Sequence, residues 1–194
     1  MTPAARRWPA AGGVVGPFAF VAAWAVLGRR QAGYSPISDA ISQLAATDAP
    51  TRAGMTAGLA LLGTGLPLYA VALRRVVPGP GWAAAATTGA CSLAVAALPL
   101  PASGDRPAHA VAAVLGYASL AAVPLLAATP FARRMGAGWK APSRLAGAVC
   151  GTCLAATTLG PASGLLQRAG LAVGHGWIAA SAVALLRRQD GGSA

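Results

Sequence analysis

Uncharged, apolar stretches alternate with short basic clusters along almost the whole chain. The six uncharged stretches cover residues 8–28, 53–73, 76–104, 107–132, 145–167 and 169–186. Each has about the ~20 residues that an α-helix needs to cross a ~30 Å hydrocarbon layer. They lack the charged face that is typical of helices in soluble bundles. They also lack the alternating polarity of a transmembrane β-strand, which is ~10 residues long.

The pattern therefore predicts an all-α integral membrane bundle of six transmembrane helices within a single domain over residues 1–194. The expected spans are about 9–28, 53–73, 82–100, 109–131, 144–162 and 166–186. Composition agrees, because 56% of the residues are hydrophobic and only 10% are charged. A soluble domain carries roughly 25% charged residues, so both a soluble globular protein and a disordered chain are excluded.

The net charge of +11 would be compatible with nucleic-acid binding if the basic residues formed one patch. Instead, ten of the 15 Lys and Arg residues fall at alternate ends of the predicted spans, on one side of the bundle. This asymmetry predicts cytoplasmic N and C termini in a plasma membrane. We therefore expect the basic side to attract anionic membrane lipids, and we expect no nucleic-acid partner.

The longest connection, residues 29–52, carries the signals of a short amphipathic helix. Ser35-Pro36 is typical of an N-cap followed by Pro at the first helical position. Apolar residues then recur at helical spacing, at Ile37, Ile41 and Leu44, and polar residues take the other face, at Ser38, Asp39 and Ser42. Two interpretations stay open: an anchor lying in the membrane interface, or a lid whose polar face closes a pocket.

Further polar residues are predicted at the same outer side of the bundle. Asp105 and His109 are four residues apart and would share a helix face as an acid–base pair. Arg168 suits a phosphate or a carboxylate, and His175 lies deeper in the sixth span. Alternatively, the outer charges neutralise each other and His175 is structural. The candidate ligand-binding residues of an outward-facing polar pocket are Tyr34, Ser38, Asp39, Ser42, Asp105, His109, Gln167 and Arg168.

Signatures of known catalytic and metal sites are missing. The sequence contains neither the G-x-S-x-G motif of a nucleophile elbow nor the H-E-x-x-H motif of a zinc site. Cys150 and Cys153 have the spacing of a redox motif, but they lie inside a predicted span, where Cys behaves as a small apolar residue. We expect no metal and no other cofactor, and the catalytic residues, if any, are unknown.

Several of these residues form motifs of a known family. Gly33-Tyr34-Ser35-Pro36, Ile41-Ser42-x-Leu44 and Leu166-Gln167-Arg168, together with His109, resemble the bacterial membrane family called domain of unknown function 998, over about residues 12–188. The resemblance implies a six-helix integral membrane protein, and no activity comes with the family's name. The family-typical positions are Tyr34, Ser35, Pro36, Ser42, His109, Gln167 and Arg168. The chain departs from the pattern around residues 100–107.

Three functions are compatible with these observations. The first is a multi-pass protein of the bacterial plasma membrane that binds a lipid headgroup or a small amphiphile in the outward-facing pocket. The second is a non-catalytic membrane scaffold for a partner protein. The third is a membrane enzyme that modifies a lipid or an isoprenoid.

Overall fold

The computed structural model describes residues 3–102 and 106–191, and the side chains of 8–102 and 106–188. The described residues form an all-α protein without strands. Its six helices are α1 (Pro3–Gly28), α2 (Arg52–Val76), α3 (Gly81–Ala97), α4 (Pro107–Met135), α5 (Lys140–Ala156) and α6 (Ser163–Gly191). Two short 3-10 helices cover Ile41–Ala45 and Ala137–Trp139.

Four helices are long and apolar enough to cross a membrane, and their apolar parts are Trp8–Gly28, Arg52–Val76, Pro107–Met135 and Ser163–Arg188. Helices α3 and α5 are shorter, with 17 residues each. Helix α3 stops before the predicted end at 100, where Pro99 and Pro101 follow two residues apart; each proline lacks the N–H of a helical hydrogen bond and disfavours the helical conformation of the residue before it. Helix α5 ends at Ala156, before the predicted end at 162. Directly after it, the Thr157 and Thr158 hydroxyls donate hydrogen bonds to carbonyls of its last turn.

The six helices pack in a closed ring. Each helix contacts the next one along the chain, and α6 returns to contact α1 and also α4. Glycines allow the closest approach, between α1 and α2: a Cβ added to Gly65 would lie 2.6 Å from the carbonyl oxygen of Gly12. Gly12 and Gly16, four residues apart on α1, both lie against the α2 backbone and so serve packing inside the bundle, as is common for membrane helices.

The prediction of a helix from Ser35 through Ala45 is wrong for its first half. Residues 35–39 form a turn instead, in which the Asp39 carboxylate accepts hydrogen bonds from the Ser35 amide at 2.8 Å and the Ser38 hydroxyl at 3.0 Å. Such side-chain bonds compete with helical backbone bonds. Ile37 is consequently 58% exposed, and only the 3-10 helix Ile41–Ala45 turns an apolar face inward.

The segment of residues 29–51, called the connecting loop below, folds back over the end of the bundle. Ile41 and Leu44 are buried against α1, α2 and α6. The Thr51 hydroxyl contacts the carbonyl of Leu44 at 2.8 Å, and the Thr47 amide donates to the carbonyl of Leu100 at 2.9 Å. The segment thus covers the end of the bundle with apolar residues, whereas Ser38 of the predicted polar face is exposed and Asp39 is half-buried.

Candidate functional site

Arg168, in the second turn of α6, donates hydrogen bonds from its side chain to the connecting loop. Its Nη1, which carries two N–H groups, lies within hydrogen-bonding distance of three carbonyl oxygens, those of Pro36 at 2.8 Å, Asp39 at 3.0 Å and Gly164 at 2.8 Å, so that one N–H is shared between two of them. Its Nη2 donates to the Tyr34 hydroxyl. The side chain is buried, with 7% of its surface exposed. Arg168 and these oxygen atoms are called the loop latch below.

Backbone contacts extend the loop latch along the first turn of α6. The Leu165 amide donates to the Ile37 carbonyl at 2.9 Å, and the Ser163 hydroxyl donates to the Ser38 carbonyl at 2.7 Å. Gly164 lies directly under Asp39, since an added Cβ would come within 2.9 Å of the Asp39 amide nitrogen. Free amides at a helix N-terminus otherwise bind anions. Here the carbonyl oxygen of Ile37 accepts a hydrogen bond from one of these amides, that of Leu165.

Carbonyl dipoles and aromatic faces surround the charge of Arg168. Its Cζ lies 5.5 Å from the ring centre of Trp24 and 5.3 Å from that of Tyr34, distances at which cation–π attraction operates. Burial raises the pKa of Tyr34 above the ordinary value of 10, although the Arg168 charge opposes this shift. The phenol therefore stays protonated at neutral pH and donates to the Ala40 carbonyl at 3.2 Å.

A cavity lies inside the bundle, directly beneath the 3-10 helix of the connecting loop. Helices α1, α2, α3, α4 and α6 line it, and Ile41 and Ser42 form part of its roof. Its volume is about 70 Å³. Most of the wall is apolar, with Phe20, Leu62 and Leu120 among its side chains. This space is called the central cavity below.

Polar side chains gather where the central cavity meets the connecting loop. Gln167 accepts the Ile41 amide at 2.8 Å and donates to the Tyr117 hydroxyl. His109 places Nδ1 2.7 Å from the Leu98 carbonyl oxygen. Because a carbonyl can only accept, Nδ1 carries a hydrogen, and Nε2 is left for another partner. The roof cluster below means these cavity-lining residues: Ser42, His109, Tyr117 and Gln167.

His175 is a further polar residue of the central cavity wall, deeper along α6 than Gln167. It lies eight residues beyond Gln167 on α6, about 12 Å along the axis at 1.5 Å per residue. Only 2% of its surface is exposed. Its ring meets Phe20 edge-on, with 5.5 Å between ring centres. Neither ring nitrogen has a hydrogen-bond partner among the residues that the structure describes.

A family model described as a protein of unknown function (DUF998) matches residues 14–184. The chain belongs to the DUF998 family. The match agrees with the resemblance found in the sequence, and the matched range includes the loop latch and all described residues of the central cavity. Comparisons with curated proteins and with solved structures gave no match for this DUF998 chain.

The structure divides the predicted pocket residues of the DUF998 chain between two places. Ser42, His109 and Gln167 line the central cavity. Tyr34 and Arg168 belong to the loop latch on the other side of the connecting loop, and Ser38 and Asp39 stabilise the turn above it. Asp105 lies outside the described residues. Within the described part of the chain, no cluster of three or more His, Cys, Asp or Glu residues is arranged to hold a metal.

Several polar residues of the central cavity are absent from the predicted pocket set, among them Thr88, Ser92, Tyr117 and His175. Tyr117 lies two helical turns after His109 in the same uncharged stretch, so helical spacing from His109 was the signal that would have found it. His175 was considered from the sequence as an ionisable residue inside the membrane. Its position opposite Phe20 depends on the packing of α6 against α1, which the sequence pattern does not indicate.

Proposed function

We propose that this protein is a six-span protein of the bacterial plasma membrane that binds a small amphiphile in the central cavity. In this arrangement the six helices form one domain with both termini on the cytoplasmic side. Helices α3 and α5 would each cover about 25 Å at 1.5 Å per residue, slightly less than a ~30 Å hydrocarbon layer. The segments after them, 98–101 and 157–162, would supply the remaining length.

The observation that carries the proposal is the distribution of polar groups around the central cavity. Ligand pockets are mostly apolar, with a few polar groups that orient the ligand. The roof cluster supplies such groups at one end, and leucines such as Leu59, Leu62 and Leu171 form the wall below it. An amphiphile would therefore place its headgroup against Ser42 and Nε2 of His109, and its apolar chain among the leucines.

Arg168 has a different role in this proposal from the anion anchor expected from the sequence. Three carbonyl oxygens already surround its Nη1, so the geometry favours positioning of the connecting loop. Replacement of Arg168 would therefore displace Ile41 and Ser42, which line the central cavity on the side of the connecting loop. Binding of an anion at Arg168 stays a prediction, for which the groove that it shares with Trp24 and Arg29 is the available space.

Native mass spectrometry of the gently solubilised protein tests the proposal. Ala113 lines the central cavity, and Ala118 is exposed on the same helix. Ala113→Leu fills the space, whereas Ala118→Leu adds the same volume outside it. We expect a discrete lipid adduct on the wild type and on Ala118→Leu, and its loss from Ala113→Leu at an unchanged melting temperature. An equal adduct on all three proteins would contradict the proposal.

The two other functions give different results in the same experiment. A scaffold would show no adduct on any variant but would retain a protein partner in pull-downs. An enzyme acting on a lipid or an isoprenoid would lose turnover in His109→Ala while the adduct persists. Either result would replace the binding function proposed here.

A further inference from the structure

His175 is a buried polar group whose hydrogen-bonding capacity is unused. Both ring nitrogens are free of partners within the described part of the chain, and the residue is 98% buried. An imidazole always has at least one N–H donor, and its neutral form has one acceptor as well. Buried polar groups are nearly always paired in native proteins, because an unpaired one loses its hydration without compensation. The central cavity, which His175 lines, is the place for the missing partner.

Neighbouring side chains of the cavity wall do not supply this partner. Phe20 meets the imidazole edge-on. Thr88 and Ser92 line the cavity from α3, but the Thr88 hydroxyl lies 2.9 Å from the Ala84 carbonyl, and that of Ser92 bonds the Thr88 carbonyl at 2.8 Å. Gln167 is about 12 Å away along α6 and is bonded to Ile41 and to Tyr117.

We infer that the ligand of the central cavity carries two polar groups, one at each end of an apolar body, of which the inner one bonds His175. This inference rests on the proposed function. The outer group would meet the roof cluster, and the inner group would bond His175. The inner group is an uncharged hydroxyl, which both donates and accepts and so matches a neutral imidazole, or a carbonyl, which takes the N–H alone. A carboxylate or an ammonium is excluded there by the cost of burying a charge.

Binding of two matched probes tests the inference. The probes are 1,10-decanediol and 1-decanol, which share an apolar chain and differ in the hydroxyl at the second end. Affinities are measured by isothermal titration in one detergent, on the wild type, His175→Phe and His175→Asn. Each probe also partitions into the detergent micelles. This partition is the same for the wild type and for each variant, so it cancels in the ratio of their affinities for one probe.

One hydrogen bond contributes a net ~0.5–1.5 kcal/mol, which corresponds to about 2- to 12-fold in affinity. We expect His175→Phe to weaken diol binding by this factor and to leave decanol binding unchanged. His175→Asn, whose amide also donates and accepts, should retain part of the diol preference. It also keeps the test valid if His175→Phe does not fold.

The possible failures are distinguishable. If His175→Phe affects both probes equally while Ala113→Leu abolishes binding of both, the inner polar contact is wrong and the proposed function stands. If neither probe binds the wild type, the inference and the proposed function fail together.

Discussion

Gly164 is the position at which the attachment of the connecting loop is most directly tested. It lies in the first turn of α6, and its carbonyl oxygen is one of the three hydrogen-bond acceptors around Nη1 of Arg168. A Cβ at this position would come within 2.9 Å of both the Asp39 amide nitrogen and Nη1 of Arg168. The Asp39 side is backbone, which cannot rotate away, so Gly164→Ala must displace the turn of residues 35–39.

The size of the effect follows from the bonds that this displacement breaks. Arg168 to Asp39, Ser163 to Ser38 and Leu165 to Ile37 all join α6 to the displaced turn. At about 1 kcal/mol for each net hydrogen bond, the loop loses ~2–3 kcal/mol of attachment. The detached population should therefore rise about 30- to 150-fold. In an open helix interior the same substitution would instead stabilise by ~1 kcal/mol.

Limited trypsin digestion of the purified protein measures the detached population. Arg29, Arg30 and Arg52 flank the connecting loop and are exposed, so cleavage there reports loop opening. When opening is fast relative to cleavage, the cleavage rate follows the open population. Gly176→Ala is the matched control, because an added Cβ meets nothing within 4 Å there. Cleavage of Gly164→Ala at the wild-type rate would refute the role assigned to the loop latch.

Three further predictions concern the latch and the helix packing. Arg168→Ala should raise tryptic cleavage after Arg30 and Arg52 and weaken the lipid adduct, whereas Arg29→Ala, which removes an exposed arginine of the same groove and its own cleavage site, should leave the adduct and cleavage at the other two sites unchanged. Gly65→Ala should lower the free energy of unfolding by ~1–3 kcal/mol through collision of α2 with α1, measured by chemical denaturation against Gly176→Ala; equal stability of the two variants would contradict the close helix contact. Because burial raises the pKa of Tyr34, the folded state holds this proton after the unfolded state has lost it, so stability should be constant below pH 9 and fall above about pH 10. The melting temperature of Tyr34→Phe should fall less steeply over that range, and identical slopes would contradict the burial of the phenol.

The spacing of the charged residues predicts how many helices there are and roughly where each lies. It does not predict where α3 and α5 end, because their ends depend on the backbone. A charged side chain is costly in hydrocarbon, so each uncharged stretch contains most of one helix, although α6 begins before Arg168, inside the stretch 145–167. The ends of α3 and α5 were predicted too late because hydropathy alone continues through Pro99 and through Gly160-Pro161. These helices end because of the backbone properties of proline and glycine, which a hydropathy profile does not register.

The connecting loop shows where periodicity fails. The spacing of Ile37, Ile41 and Leu44 fits a helix, yet the Asp39 carboxylate bonds the Ser35 amide and holds a turn. Arg168 was expected to face a ligand, and its carbonyl partners at Pro36 and Asp39 lie more than a hundred residues earlier in the chain. Such partners depend on the packing of the connecting loop over α6, for which one sequence contains no local pattern.

Photo-crosslinking in lipid bilayers tests the central claim most directly, since it separates a molecule in the central cavity from lipid around the bundle. Helix α4 provides the contrast, because Ala113 and Gly116 line the cavity while Val114 and Leu115 are 63% and 54% exposed. A diazirine-bearing long-chain alcohol should label Ala113 and Gly116 at low probe concentration, and unlabelled 1,10-decanediol should compete for this labelling. Labelling of Val114 and Leu115 alone, without competition, would contradict the account.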